Sequence, residues 1–221
     1  MKDDLMQGMI NLVTTRQRAG EPAELLRWYN DHVNLLMGFE DLTGATLYCR
    51  TSADTAGLPE YVCLYDFPSA SAFAAFEASD AKERARQVTE SGWGKLGIEI
   101  IQRTQYTTGG KWAGQTLPVT ERLFHSQCLD IKEKTSDAGE LKRWLADTLY
   151  MAAAGAGVDH YEWYVLGEQQ MIVVASAAAA DIAPSWHTWW DASAFQSLGR
   201  APTSVQANWQ AGYQRVSAWY R

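Results

Sequence analysis

The stretch Glu24-Leu25-Leu26-Arg27-Trp28-Tyr29-Asn30-Asp31 returns 116 residues later as Glu140-Leu141-Lys142-Arg143-Trp144-Leu145-Ala146-Asp147. Both copies read E-L-x-R-W-x-x-D. The same displacement pairs Asn11 with Gln127, Tyr48 with Tyr164 and Trp93 with Trp209. A slightly shorter one sets Phe76-Glu77-Ala78-Ser79 against Trp190-Asp191-Ala192-Ser193. Self-similarity at a fixed spacing and in one chain order marks a repeated structural unit. The expected division is residues 1–110 and 111–221, with the glycine-bearing segment Thr107–Pro118 as linker.

Within the first copy, Gly8–Arg16 is a β-branched run and Glu21-Pro22-Ala23 opens a helix, with proline where a first turn tolerates it. Leu25, Trp28, His32 or Tyr29, Leu35 and Leu36 recur at three- and four-residue spacing and mark that helix's inner stripe. Gly38 supplies its stop. Gly44–Thr51 and Glu60–Phe67 alternate as strands do. Pro68-Ser69 starts a second helix with Phe73, Phe76 and Val88 on its apolar face, and Leu96–Tyr106 closes the unit as a strand. The second copy is read the same way, as strands Arg122–Ile131, Val158–Gly167, Gln170–Ser176 and Ser204–Trp219, and helices Ala138–Ala154 and Ala183–Leu198.

Each copy is therefore an α+β unit of β-α-β-β-α-β order, a ferredoxin-like arrangement with both helices on one face of an antiparallel sheet. The helix-free face, either Val62 and Leu64 or Tyr61, Cys63 and Tyr65, needs a cover. Two tandem repeats whose sheets pack face to face, as an α+β barrel inside one chain, would supply it. Covalent linkage then replaces the association of a homodimer by a high effective concentration.

Composition narrows the partners. A net charge of −7 over 221 residues argues against nucleic acid, whose phosphates call for a basic face. No apolar run approaches the roughly 18 residues of a membrane-spanning helix. The acidic start lacks a secretory layout, so a cytoplasmic protein is expected. Three cysteines, Cys49, Cys63 and Cys128, are isolated and odd in number, which fits reduced side chains in strands. Ten Trp and ten Tyr suit a core, or a pocket for an aromatic ligand.

The run Trp28-Tyr29-Asn30-Asp31-His32-Val33-Asn34-Leu35-Leu36, followed by a glycine and an aromatic-rich strand, resembles the dimeric α+β barrel superfamily, and within it the EthD-like branch with its W-x-x-x-H helix. That resemblance implies a range of chemistries: cofactor-free monooxygenases, isomerases, cyclases, heme-handling members and proteins without known activity. The second copy departs from the pattern, because the counterpart of His32 is Thr148. Only the N-terminal half would then keep a helix histidine.

His32 is the candidate acid–base residue, since an imidazole titrates near neutrality and can take an acidic C–H or phenol proton. Its plainer reading is a half-buried histidine bonded to a backbone carbonyl. Asn11, Trp28, Tyr48 and Tyr65 are the candidate substrate-binding residues. An amide in an apolar strand must find a partner, and Gln127 at the matching position favours a structural one for Asn11. The two tyrosines are equally readable as core aromatics with hydroxyls at the edge. The patch Ser185-Trp186-His187-Thr188-Trp189-Trp190 is the densest aromatic cluster, with Trp186, Trp189 and Trp190 on one helical face. His125 and His160 sit in strands without a metal-ligand set around them. No phosphate-cradling loop, nucleophile elbow, H-E-x-x-H or C-x-x-C is present.

The leading expectation is a cofactor-independent enzyme of isomerase, cyclase or monooxygenase type. It would act on an aromatic or polyketide-like compound, with His32 as acid or base and no cofactor or metal. A non-catalytic small-ligand-binding or stress-associated protein is the alternative, and an assembly protein using the second copy's aromatics is a third. The expected partner is a small molecule, within a single-chain pseudo-dimer that further homodimerisation would extend.

Overall fold

The computed structural model describes residues 8–51, 58–113, 122–131, 147, 160–167, 170–178 and 205–221. The elements in chain order are β1 (Met9–Gln17), α1 (Pro22–Leu36), β2 (Gly44–Arg50), β3 (Tyr61–Phe67), α2 (Ala70–Glu77), α3 (Asp80–Leu96), β4 (Ile98–Ala113), β5 (Arg122–Ile131), β6 (His160–Leu166), β7 (Gln170–Ala178) and β8 (Val205–Tyr220). The fold is mixed α+β, and every strand pair with a described register is antiparallel. Two units emerge. One comprises Met1–Arg50, Pro59–Tyr106 and Arg215–Arg221; the other comprises Thr51–Leu58 and Thr107–Gln214. Neither unit is one continuous stretch of chain: Thr51–Leu58 belong to the second, and the last seven residues belong to the first.

In the first unit β3 is central, pairing with β1 on one side and β2 on the other. Strand pleating sends Tyr61, Cys63, Tyr65 and Phe67 to the helix-covered face, where they join Leu25, Tyr29, Val33 and Leu36 of α1 and Phe76 of α2 in one core. The odd positions of β3 are thus the helix-facing ones. Ile10, Leu12, Val62 and Leu64, on the other face, are also buried. Along α1 the fully buried line is Leu25, Tyr29, Val33 and Leu36, with Trp28 and Leu35 packed beside it.

Three expectations for this unit change. The second helix is two helices, because the Ser79 hydroxyl accepts the Lys82 amide at 3.2 Å and caps a new start at α3. The inner stripe of α3 is Ala81, Ala85 and Thr89, whereas Val88 is exposed. Finally, Leu96 ends α3 rather than opening the strand, and Gly97 turns the chain at φ +54°, with the Cβ of Arg18 3.0 Å from where its own would stand. Trp93 therefore lies on a helix and its partner by spacing, Trp209, on strand β8, so this pair does not occupy equivalent positions.

In the second unit the strands lie in the order β4, β6, β7, β5, β8. Strand order β5-β7-β6 here parallels β1-β3-β2 in the first unit, and β6 begins 116 residues after β2 with the same length. Thr107–Ala113 is not a linker but the end of β4, paired with β6 from Val165 to His160. Gly109-Gly110 is there for a different reason than flexibility. The Trp163 ring lies on them, and a Cβ on Gly109 would stand 2.1 Å from its Cε3. The second-copy helices, with Thr148 and the 185–190 aromatic patch, fall outside the described residues.

Candidate functional site

A cavity of about 230 Å³ opens in the first unit between the helices and the sheet. Strands β1 and β3 contribute Asn11, Val13 and Tyr65, and α1 contributes His32 and Leu36. Phe76 of α2 adds an aromatic wall, α3 gives Lys82, Arg86 and Thr89, and β4 gives Ile100 and Arg103. Three of the five site residues expected from sequence, Asn11, His32 and Tyr65, meet in it. The reason is register. Asn11 and Tyr65 are direct cross-strand partners on the helix-covered face, and His32 follows Trp28 by one helical turn.

The other two do not line it. Tyr48 alternates with the helix-facing Leu47 and Cys49, so its side chain leaves on the opposite face. Trp28 stacks on the His32 imidazole at 4.8 Å between ring centroids and 11° between planes. Its part is to hold that ring, and its buried Nε1 has no hydrogen-bond partner. Asp31 and Asp147, the repeated acidic pair, are both exposed.

The His32 tautomer follows from its neighbour. The Thr89 hydroxyl donates to the Ala85 carbonyl at 2.7 Å and lies 3.0 Å from His32 Nδ1. A hydroxyl has one proton, so Thr89 can only accept from Nδ1–H, which leaves the lone pair on Nε2. Burial pushes the imidazole pKa down to about 4; the Ala85 carbonyl opposes this, and the Lys82 charge adds to it. The ring is therefore neutral at pH 7.

Tyr65 is a phenol and not a phenolate, its pKa raised far above the ordinary value chiefly by burial. It hydrogen-bonds the Cys63 thiol, itself pushed up to about 12 by burial. Asn11 is 4% exposed, and its Oδ1 has no hydrogen-bond partner. On the cavity's cationic side, Arg103 and Lys82 both pair with Glu77, and Arg86 pairs with Glu83 and Glu90. Lys82 also lies 5.2 Å from the Phe76 ring centre.

Sequence reading missed Thr89 and the three cations. The signal was available for Thr89: Ala81, Ala85 and Thr89 form a small-residue stripe at four-residue spacing through an otherwise charged helix. Among the described residues no set of three or more His, Cys, Asp and Glu converges to hold a metal. Strand β7 lies between β5, which carries His125, and β6, which carries His160; His160 Nε2 meets Glu162 at 3.2 Å.

No family model matches the chain, and no curated protein does. Solved structures do. The chain superposes on a candidate monooxygenase from Fusobacterium nucleatum with TM-score 0.65 and 9% identity, over 98% of this chain and 95% of that one. It superposes on an anthrone oxidase-like protein with TM-score 0.61 and 11% identity, over 99% and 94%. A chlorite dismutase variant from Candidatus Nitrospira defluvii gives TM-score 0.58 and 9% identity, over 95% and 92%. At such identities the likeness carries the mixed α+β fold with its antiparallel sheet, and nothing of the reaction. At about 230 Å³ this cavity lies below the roughly 300–1,000 Å³ of pockets for drug-sized molecules and does not fit a group as large as a heme.

Proposed function

We propose that this chain is a small-molecule enzyme whose His32 removes an acidic proton from an aromatic or polyketide-like compound held in the first-unit cavity. The observation that carries the reading is the Thr89–His32 contact, which leaves an unprotonated Nε2 on a residue lining that cavity. In the step, the substrate C–H bond breaks and an N–H bond forms at Nε2. The electron pair passes into the substrate's conjugated oxygen, on which Lys82, Arg86 and Arg103 act as nearby positive charge.

A base with so low a pKa suits only an acidic proton. Isolated C–H groups are excluded on that ground, and vinylogous or benzylic ketones are favoured. Size narrows the substrate further: an apolar cavity of about 150 Å³ takes one benzene ring, so 230 Å³ suits one or two rings. The step itself draws on no cofactor. Names given to structural neighbours, monooxygenase and anthrone oxidase-like, are compatible with chemistry that starts from a carbanion of this kind.

The same reading takes the chain as a fused duplication, a pseudo-dimer in which one half kept its histidine. Support comes from the 116-residue spacing, the matching strand orders and the Trp28–His32 stack, which is the W-x-x-x-H pattern of the EthD-like branch. A cytoplasmic setting fits the free thiols Cys49 and Cys63. The test is deuterium uptake at C1 of 2-tetralone in D₂O, followed by NMR. Wild type should accelerate exchange over buffer and His32→Ala should not; equal rates for the two proteins would end the proposal.

A further inference from the structure

A base that takes a proton in a buried site must then hold a positive charge there, which its surroundings have to stabilise. Among the described residues lining the cavity there is no carboxylate to do so. The ionisable groups that share the cavity with His32 are Lys82 and Arg86 of α3, Tyr65 of β3 and Arg103 of β4. Three are cations, and the fourth is a neutral phenol. Lys82 opposes the imidazolium by its charge, and burial opposes it more.

What favours the imidazolium comes from two directions. At the ring edge are the Thr89 hydroxyl, 3.0 Å from Nδ1, and the Ala85 carbonyl. On the ring face lies Trp28, one helical turn earlier, 4.8 Å between centroids and 11° between planes. Packing alone places this indole. Its Nε1 is buried without a hydrogen-bond partner, and the Tyr29 ring meets it at 5.1 Å and 75°. An indole face carries negative potential and is the best aromatic partner for a cation within about 6 Å. A neutral imidazole gains only stacking from such a face. An imidazolium gains charge stabilisation as well, most of all away from water.

We infer that Trp28 is a positioning residue that stabilises the imidazolium formed when His32 Nε2 takes the substrate proton, doing from the ring face what a carboxylate does for other basic histidines. This rests on the reading of His32 as the base. In the step the substrate C–H bond breaks, the Nε2–H bond forms, and the electron pair stays on the substrate. The indole contributes more after the transfer than before it, so its effect falls on the transition state and not on ligand binding.

Trp28→Leu would mix two effects, since losing the face lowers the histidine pKa and admitting water raises it. Fluorination avoids this by weakening the negative face at nearly constant volume. The full chain is therefore prepared with one, two or three fluorines on the benzene ring of the residue-28 indole alone, by nonsense suppression. Nitrogen-15 NMR titration should show the His32 pKa falling with each fluorine, by about 0.5–1.5 units over the series. Exchange of 2-tetralone should slow in step, about two- to tenfold, through kcat with KM unchanged. The same fluorines at Trp163, in the second unit, should move neither quantity. A His32 pKa indifferent to fluorination of residue 28, or one equally sensitive to fluorination of residue 163, would overturn the inference. A pKa that falls along the series while no form accelerates exchange would keep the stack and sink the base, whereas exchange with an unmoved pKa would do the reverse.

Discussion

The Thr89 hydroxyl accepts the Nδ1 proton of His32 at 3.0 Å while giving its own proton to the Ala85 carbonyl. A threonine on α3, with the Ala85 carbonyl beside it, thereby favours one tautomer of a histidine on α1. Thr89→Val keeps the volume and removes the hydroxyl acceptor, leaving the Ala85 carbonyl as the acceptor beside the ring, so the preference for Nδ1–H should weaken. Nitrogen-15 chemical shifts of His32 should show one tautomer, Nδ1–H, in wild type and a mixture in Thr89→Val. Thr89→Ser should restore the wild-type pattern. A wild-type spectrum from the valine variant would show that Thr89 does not set the tautomer.

Stability should depend on pH through the same ring. His32 has a folded pKa near 4 against an ordinary value of 6.5. Above about pH 6.5 the ring is neutral in both states and contributes no pH dependence. Between 6.5 and 4 the unfolded chain binds a proton that the folded chain refuses, so stability falls as pH falls, by about 3 kcal/mol in all. Below 4 the loss levels off. Urea unfolding of wild type and His32→Gln, compared from pH 7 to pH 4, should show the wild type losing this much more than the variant. Parallel curves would refute a buried neutral imidazole.

The rate of substrate deprotonation should carry the same signature. A histidine open to water would give a limb rising near pH 6.5, whereas His32 is already unprotonated well below that. Exchange catalysed by the protein, corrected for the buffer reaction, should be flat from about pH 5.5 to 8. Because Lys82 helps hold the pKa down, Lys82→Met should move the acid limb upward. A limb that stays in place would remove Lys82 from the electrostatics of the site.

What the sequence disclosed depended on periodicity. The helix histidine, the amide of β1 and the tyrosine of β3 were readable, because spacings of about 3.6 and 2 sort residues onto faces. The choice between the two faces of a sheet was not. Tyr48 and Tyr65 look alike in sequence, and only packing of α1 over Leu47 and Cys63 tells which tyrosine meets the cavity. Arg86 with Glu83 and Glu90 reads as an ordinary solvated helix face, since pairs at these spacings are common on surfaces. The place of Arg86 in a cavity wall depends on α3 packing against α1, a long-range contact that no local pattern encodes. Trp93 and Trp209 show the converse hazard, identical residues at the repeat spacing on a helix and on a strand.

Gly109 supplies a test of the second unit. Thr107–Ala113 looks like a linker because Gly109-Gly110 punctuates it, yet β4 runs through with a register shift between Thr108 and Gly110. The Trp163 ring, 5% exposed, rests where a Gly109 side chain would be. Inserting a methyl there cannot be absorbed by a small shift, because the atoms it meets belong to a rigid indole in a buried sheet face. Gly109→Ala should destabilise the protein by about 1–3 kcal/mol. Trp163→Leu would itself cost stability, but adding Gly109→Ala to it should cost much less than in wild type, giving a coupling of 1 kcal/mol or more on the scale of about 0.5–3 for residues in contact. A flexible linker would instead tolerate the alanine, with additive effects in the double variant.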